Sequence, residues 1–137
     1  MSTLIANKLQ PLTGDEIDVQ GHELVNLKAS NVSEPVFTAD LTSGVVTLDF
    51  ENGGIQVVNL TENVTSFTLT NFTAGKALTV YFVQDETGGR TVDFTQFRTA
   101  GGEGVALSDA ADAIDVVVML TIDGTNYDAG LSMGALA

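Results

Sequence analysis

The sequence predicts an all-β protein, a jelly-roll-like β-sandwich preceded by an extended N-terminal arm. Three observations carry this expectation. Apolar and polar residues alternate with a period of two in several short stretches, turn signals rich in Gly and Asn separate those stretches at regular spacing, and no segment has the apolar spacing of an amphipathic helix.

Residues 1–33 read as the arm. Leu4, Ile5 and Leu9, then Ile17 and Val19, then Leu24, Val25 and Leu27 are brief apolar groups interrupted by Pro11, Gly14 and Gly21. Each is too short for a helix, so two or three brief strands or an extended segment are expected. Such a segment buries little by itself. Its apolar residues need a partner, either the domain behind it, a neighbouring subunit or another protein.

After Ser33-Glu34-Pro35 the composition shifts to Val, Thr and Phe, which suit a half-buried pleated surface, and the sandwich is expected over residues 34–137. Residues 36–40 and 45–50 are the first two strands; in the second, Val46, Leu48 and Phe50 share one face. Asn52-Gly53-Gly54 is a turn. In residues 55–60, IQVVNL, Ile55 and Val57 fall on one face but Val58 and Leu60 on the other, which indicates a bulge or two covered faces. Residues 64–70 turn Phe67 and Leu69 inward.

Residues 76–94, KALTVYFVQDETGGRTVDF, organise the rest of the chain. Leu78, Val80 and Phe82 alternate with Thr79, Tyr81 and Val83, and a turn at residues 85–89 leads into Thr91-Val92-Asp93-Phe94, so a β-hairpin is expected here. Its sheet partner is expected at residues 113–123. Glycines 101, 102 and 104 make residues 97–109 a loop, and residues 108–113 are compatible with one helical turn capped by Ser108 or Asp109. Asp123-Gly124-Thr125-Asn126 is a tight turn into a last strand from Tyr127 to Met133. Within the apolar run 116–120, Val117 and Met119 face opposite to Val116, Val118 and Leu120. Either both faces are covered within the domain, or one lies against another subunit.

Composition narrows the function. At 137 residues the chain is one domain that buries about two thirds of its unfolded surface. No apolar run reaches the roughly 20 residues that span a bilayer, and no secretory signal opens the chain, so no membrane partner is expected. With no cysteine and the single histidine His22, disulfides and the usual zinc sites are excluded. Eighteen acidic residues against five basic ones give a net charge of -13, which repels a phosphate backbone, and nucleic acid is not expected as a partner.

No catalytic residue, cofactor or metal site is assigned. Asp15 and Glu16, Asp85 and Glu86, and the series Asp109, Asp112 and Asp115 are carboxylates close in sequence, but they lack the aromatic platform and apolar pocket that glycoside hydrolysis requires. Asp123-Gly-Thr-Asn-Tyr-Asp128 lacks the alternate acids and final glutamate of a calcium loop. Four Asn-x-Thr/Ser sequons follow from a Thr- and Asn-rich β-protein.

Four blocks carry a family resemblance: Gly44-Val-Val-Thr-Leu-Asp-Phe, Val64-Thr-Ser-Phe-Thr-Leu-Thr-Asn, residues 77–92 and Ala113-Ile-Asp-Val. Over residues 44–133 the chain resembles a β-domain that recurs in bacteriophage virion proteins, namely fibres, head fibres and decoration (cement) proteins. The segment from Gln84-Asp85 to Gly88-Gly89-Arg90-Thr91-Val92 is the most distinctive. Leu4-Ile-Ala-Asn-Lys-Leu-Gln is similar to the N-terminal segments of phage appendage proteins. Many such relatives carry tryptophan and proline after the hairpin, where this chain has Phe94-Thr-Gln-Phe97.

The resemblance implies a homotrimeric structural protein without shared catalytic residues, made in the host cytoplasm and resident in the virion. The short chain, with no room for a shaft, directs the expectation to a cement protein on the outer capsid surface, with the major capsid protein as partner. The expected interface consists of Leu4, Ile5, Leu9, Ile17, Val19, Leu24, Val25, Leu27, Val117 and Met119. A short fibre or appendage is the alternative, with a host receptor or glycan bound by loops 85–89 and 97–104. A carbohydrate-active enzyme is a third reading, with Asp109 and Asp112 as its test.

Overall fold

The alternation of apolar and polar residues produces eight strands in a computed structural model that describes residues 28–137. They are β1 (Val36–Thr38), β2 (Asp40–Thr42), β3 (Val45–Asp49), β4 (Ile55–Leu60), β5 (Ser66–Thr70), β6 (Ala77–Gln84), β7 (Ile114–Leu120) and β8 (Asp128–Leu136). Helix among the described residues is limited to two single 3-10 turns, Phe50–Asn52 and Ala100–Gly102. Packing divides the chain between Val32 and Ser33, with Ser33–Ala137 as one unit. The eight arm residues of the expected interface, Leu4 to Leu27, and His22 lie outside the described residues.

The strands form a five-stranded sheet, β1-β4-β6-β7-β8, and a three-stranded sheet, β2-β3-β5. The all-β, two-sheet expectation holds. The likeness to a jelly roll extends to this layering and not to connectivity, because β1 with β4, β4 with β6 and β3 with β5 are parallel pairs. From β1 to β6 the chain winds between the two sheets as a coil, so that Val36 lies beside Ile55, Val45 beside Ser66 and Ile55 beside Thr79. A parallel partner requires such a crossover, and here the opposite sheet supplies it. Among the described residues, β6–β7, β7–β8 and β2–β3 are the antiparallel pairs.

The core lies between the sheets. Val46 and Leu48 of β3, Val58 and Leu60 of β4, and Leu78, Val80 and Phe82 of β6 are buried, as the period of two requires. Phe67, Phe82, Phe94 and Phe97 pack ring against ring at centroid distances of 5.2 to 6.4 Å. Phe94 and Phe97 are the residues by which this chain departs from the expected tryptophan and proline, and both serve as core. A second stack, Phe50–Phe72–Tyr127, closes one side, with the Lys76 ammonium 4.3 Å above the Phe50 ring.

Three expectations are corrected. Residues 91–94 do not return as a hairpin arm: β6 pairs with β4 and β7, while Val92 makes a parallel bridge to Val64. The loop is too tightly tied to let the chain fold back, for the Gln84 amide holds the Arg90 backbone at both N–H and C=O. Residues 108–113 form no helical turn, because Asp112 takes a left-handed φ of 58° and Ala113 N–H closes a turn on Ala110. Val117 and Met119 point into the core and are fully buried there, so they present no surface to a partner. The outward face of β7 carries Val116, Val118 and Leu120 instead.

Candidate functional site

The distinctive block at residues 84–92 is a lock between two loops. The Asp85 carboxylate accepts from the backbone N–H groups of Thr87 and Gly88 and takes the Arg90 guanidinium through Nε and Nη2 at 2.9 and 2.6 Å. The bond from Arg90 holds that carboxyl below the usual range, backbone N–H groups add to it, and partial desolvation opposes. Gln84, itself buried, donates to the carbonyls of Arg90 and Ser108. Gly89 N–H and Asp112 N–H then tie this loop to residues 109–112. At Gly88, φ is 70° and the space a Cβ would fill lies 2.6 Å from the Asp109 carbonyl oxygen, so only glycine fits.

The carboxylates close in sequence serve separate tasks. Asp115 is buried on β7 and accepts from Ser108 N–H, Ser108 Oγ and Ala135 N–H, pinning a loop and the end of β8. Asp109 contributes its backbone carbonyl to the lock, and Asp112 lies exposed. Asp123 caps its turn by accepting from Thr125 N–H, Asn126 N–H and Asn126 Nδ2, and these bonds depress its pKa. That is the predicted tight turn. Among the described residues no three acidic or histidine side chains come together to hold a metal ion, and none of those residues is a histidine.

Two surfaces stand out. The first is an open groove of about 400 Å³ lined by residues 92–95, Phe97, Thr99 and residues 102–105. Asp93, Thr95, Thr99 and Glu103 give it hydroxyl and carboxylate acceptors suited to a polar ligand. Bonds from Thr95 hold Asp93 ionised below the usual carboxylate range. The groove's frame is rigid because Gln96 lies along β5 like a strand residue, its side chain accepting from Phe67 N–H and donating to Phe67 C=O. Of the two loops expected to carry specificity, 97–104 lines this groove and 85–89 is committed to the lock.

The second surface is the outer face of the five-stranded sheet. Cross-strand register places Val36, Ile55, Val57, Tyr81, Val118 and Met133 on it. Val36 and Met133 are 64% and 47% exposed, values that set them apart from core residues of the same type. Val36, Ile55, Val57 and Tyr81 enclose a shallow apolar depression of about 250 Å³. The phase change in IQVVNL was its sequence signal: β4 carries no bulge, Gln56, Val58 and Leu60 face inward, and Ile55 and Val57 face out. Gln56 is buried by donating to the carbonyls of Asp49 and Gly53.

A two-sheet β-module that presents surfaces and holds its signature motif as internal scaffolding belongs among structural and binding proteins. Comparison with protein families bears this out: residues 37–127 match the family described as "Putative phage tail fibre C-terminal domain". The chain belongs to this family of bacteriophage virion β-domains and is a phage structural protein, a component of the virion. Neither the curated proteins nor the solved structures gave a match.

Proposed function

We propose that the chain is a module of a homotrimeric, fibre-type appendage of a tailed phage that contacts the host surface through the groove lined by residues 92–105. The observation that carries this reading is that the family match over residues 37–127 takes in both the lock and the groove it frames. A rigid frame with a polar, loop-lined depression suits recognition of hydroxyl-rich ligands such as glycans, which carboxylate and hydroxyl acceptors bind by hydrogen bonding. The acidic surface, with a net charge of -13, disfavours anionic glycans and leaves neutral or basic ones.

The test is location and copy number on purified particles, by immunogold microscopy and quantitative mass spectrometry, with a glycan array on the isolated protein. A few copies at the tail or a vertex, and binding lost in Asp93→Ala, are expected. Hundreds of copies over the shell would replace this reading with a capsid decoration protein bound to the major capsid protein, since a symmetric shell repeats each contact many times.

A further inference from the structure

We propose that the outer face of the five-stranded sheet is the surface through which copies of this chain pack on one another. The inference rests on the homotrimeric reading above and names the face that reading leaves unspecified. The smaller sheet covers the other side of β4, β6 and β7, yet apolar side chains dominate this side too: Val36, Ile55, Val57, Tyr81, Val118 and Met133 share it with Thr38, Asn59 and Thr79, while Val116 in the same register is buried within the chain. A sheet with one solvated side shows polar residues there.

The geometry of β8 shows the pattern is specified. Its apolar residues are Leu131, Met133 and Leu136, a spacing that regular alternation would split between two sides. Register shifts between β7 and β8 absorb the odd residue, so that Met133 lies opposite Val116 and Leu136 opposite Ile114, in line with the outer face. The Ala135 φ of 52° and its N–H bond to buried Asp115 fix the irregularity. Met133 and Leu136 remain 47% and 37% exposed there, whereas Leu131 lies opposite the inward-facing Val117.

Charge identifies the occupant. In a molecule carrying -13, this face has one carboxylate in its register, Asp128 at its end, and Arg98 pairs with it at 2.6 Å. Elsewhere two copies repel each other; here they meet without like charges. A basic partner would instead be drawn to the acidic loops. Five strands at about 4.8 Å and some six residues at about 3.3 Å give a face of roughly 500 Å² in plan. Covering it in all three copies removes on the order of 1,500 Å² from the trimer, about 500 Å² at each of its three contacts, so that closure of the ring and not any one contact holds the copies together, whereas a monomer exposes such a patch at a solubility cost.

The test uses the full chain in multi-angle light scattering after size exclusion, at tens of micromolar. The wild type is expected at three times the chain mass. Val118→Lys, at the centre of the face, is expected at the chain mass with unchanged circular dichroism, and Thr47→Lys, exposed on the smaller sheet, at the wild-type mass. A folded Val118→Lys that stays trimeric overturns the face and leaves the trimer standing. A monomeric wild type overturns both. Because the chain has no cysteine, Tyr81→Cys treated with a short bismaleimide decides the matter if Val118→Lys fails to fold: covalently joined copies are expected, and their absence refutes the assignment.

Discussion

Gly88 and Gly89 offer a controlled test of the lock, because they are adjacent, share φ values of 70° and 72°, and differ only in surroundings. A Cβ on Gly89 meets nothing within 4 Å, so Gly89→Ala should cost only the left-handed strain of an alanine, about 1 kcal/mol. On Gly88 the same Cβ would sit 2.6 Å from the Asp109 carbonyl oxygen and 2.7 Å from the Ala111 nitrogen. Both are backbone atoms, which cannot swing aside. The loops must part, which breaks the Gly89 N–H to Asp109 and Asp112 N–H to Asp85 bonds, each worth about 1 kcal/mol. Gly88→Ala should therefore lose about 3 kcal/mol, a fall in Tm of about 12 °C against about 4 °C for Gly89→Ala. Urea and thermal unfolding at one fixed protein concentration measure both, since association would make Tm depend on concentration. Equal losses, within about 0.5 kcal/mol, would refute the claim that close approach of residues 109–111 fixes this motif.

Asp115→Ala leaves the N–H groups of Ser108 and Ala135 without their acceptor, and should cost about 3 kcal/mol in urea unfolding with faster amide exchange at Ala135. Gln96→Ala uncovers the β5 edge at Phe67; a loss of about 1 to 3 kcal/mol and a rise in light scattering near the unfolding midpoint are expected. Asp123 has a folded pKa below its unfolded value because Asn126 and Thr125 donate to it. A depressed carboxylate stabilises above the unfolded value of about 3.9 and loses that contribution as pH falls toward the folded one. Asp123→Asn should therefore be less stable than wild type at pH 7, with the gap closing below about pH 4; a gap constant with pH would sink the assignment.

The strands were legible because Val46, Leu48, Leu78, Val80 and Phe82 obey a period of two that only a half-buried strand explains. The pairing of residues 77–83 with 114–120 followed from two apolar runs of matched length. Parallel pairing was not legible, since β1, β4 and β6 read locally like any antiparallel strands, and their neighbours are set by the winding between sheets. The hairpin expectation failed for a related reason: Asp-Glu-Thr-Gly-Gly announces a turn, but the bonds from Gln84 and the bridge from Val92 to Val64 decide where the chain goes next. Gln84 and Gln96 were invisible as anchors because a glutamine gives no periodic signal. The alternation in residues 116–120 showed two apolar sets without saying which was inward, and Val117 and Met119 turned out to be the inward one.

The order of strands has a mechanical consequence. β1 and β8 are the two margins of one sheet, and they run in the same direction, because β1, β4 and β6 are parallel and β7 reverses twice over to β8. Tension applied between Val36 and Leu136 therefore enters at opposite poles of the strands and pulls along their axes. The rungs between neighbours are loaded together in shear and do not open one after another like a zip. The three residues of β1 form the shortest ladder in that series, so they would yield first, lengthening the tether while the phenylalanine cluster behind them stays closed.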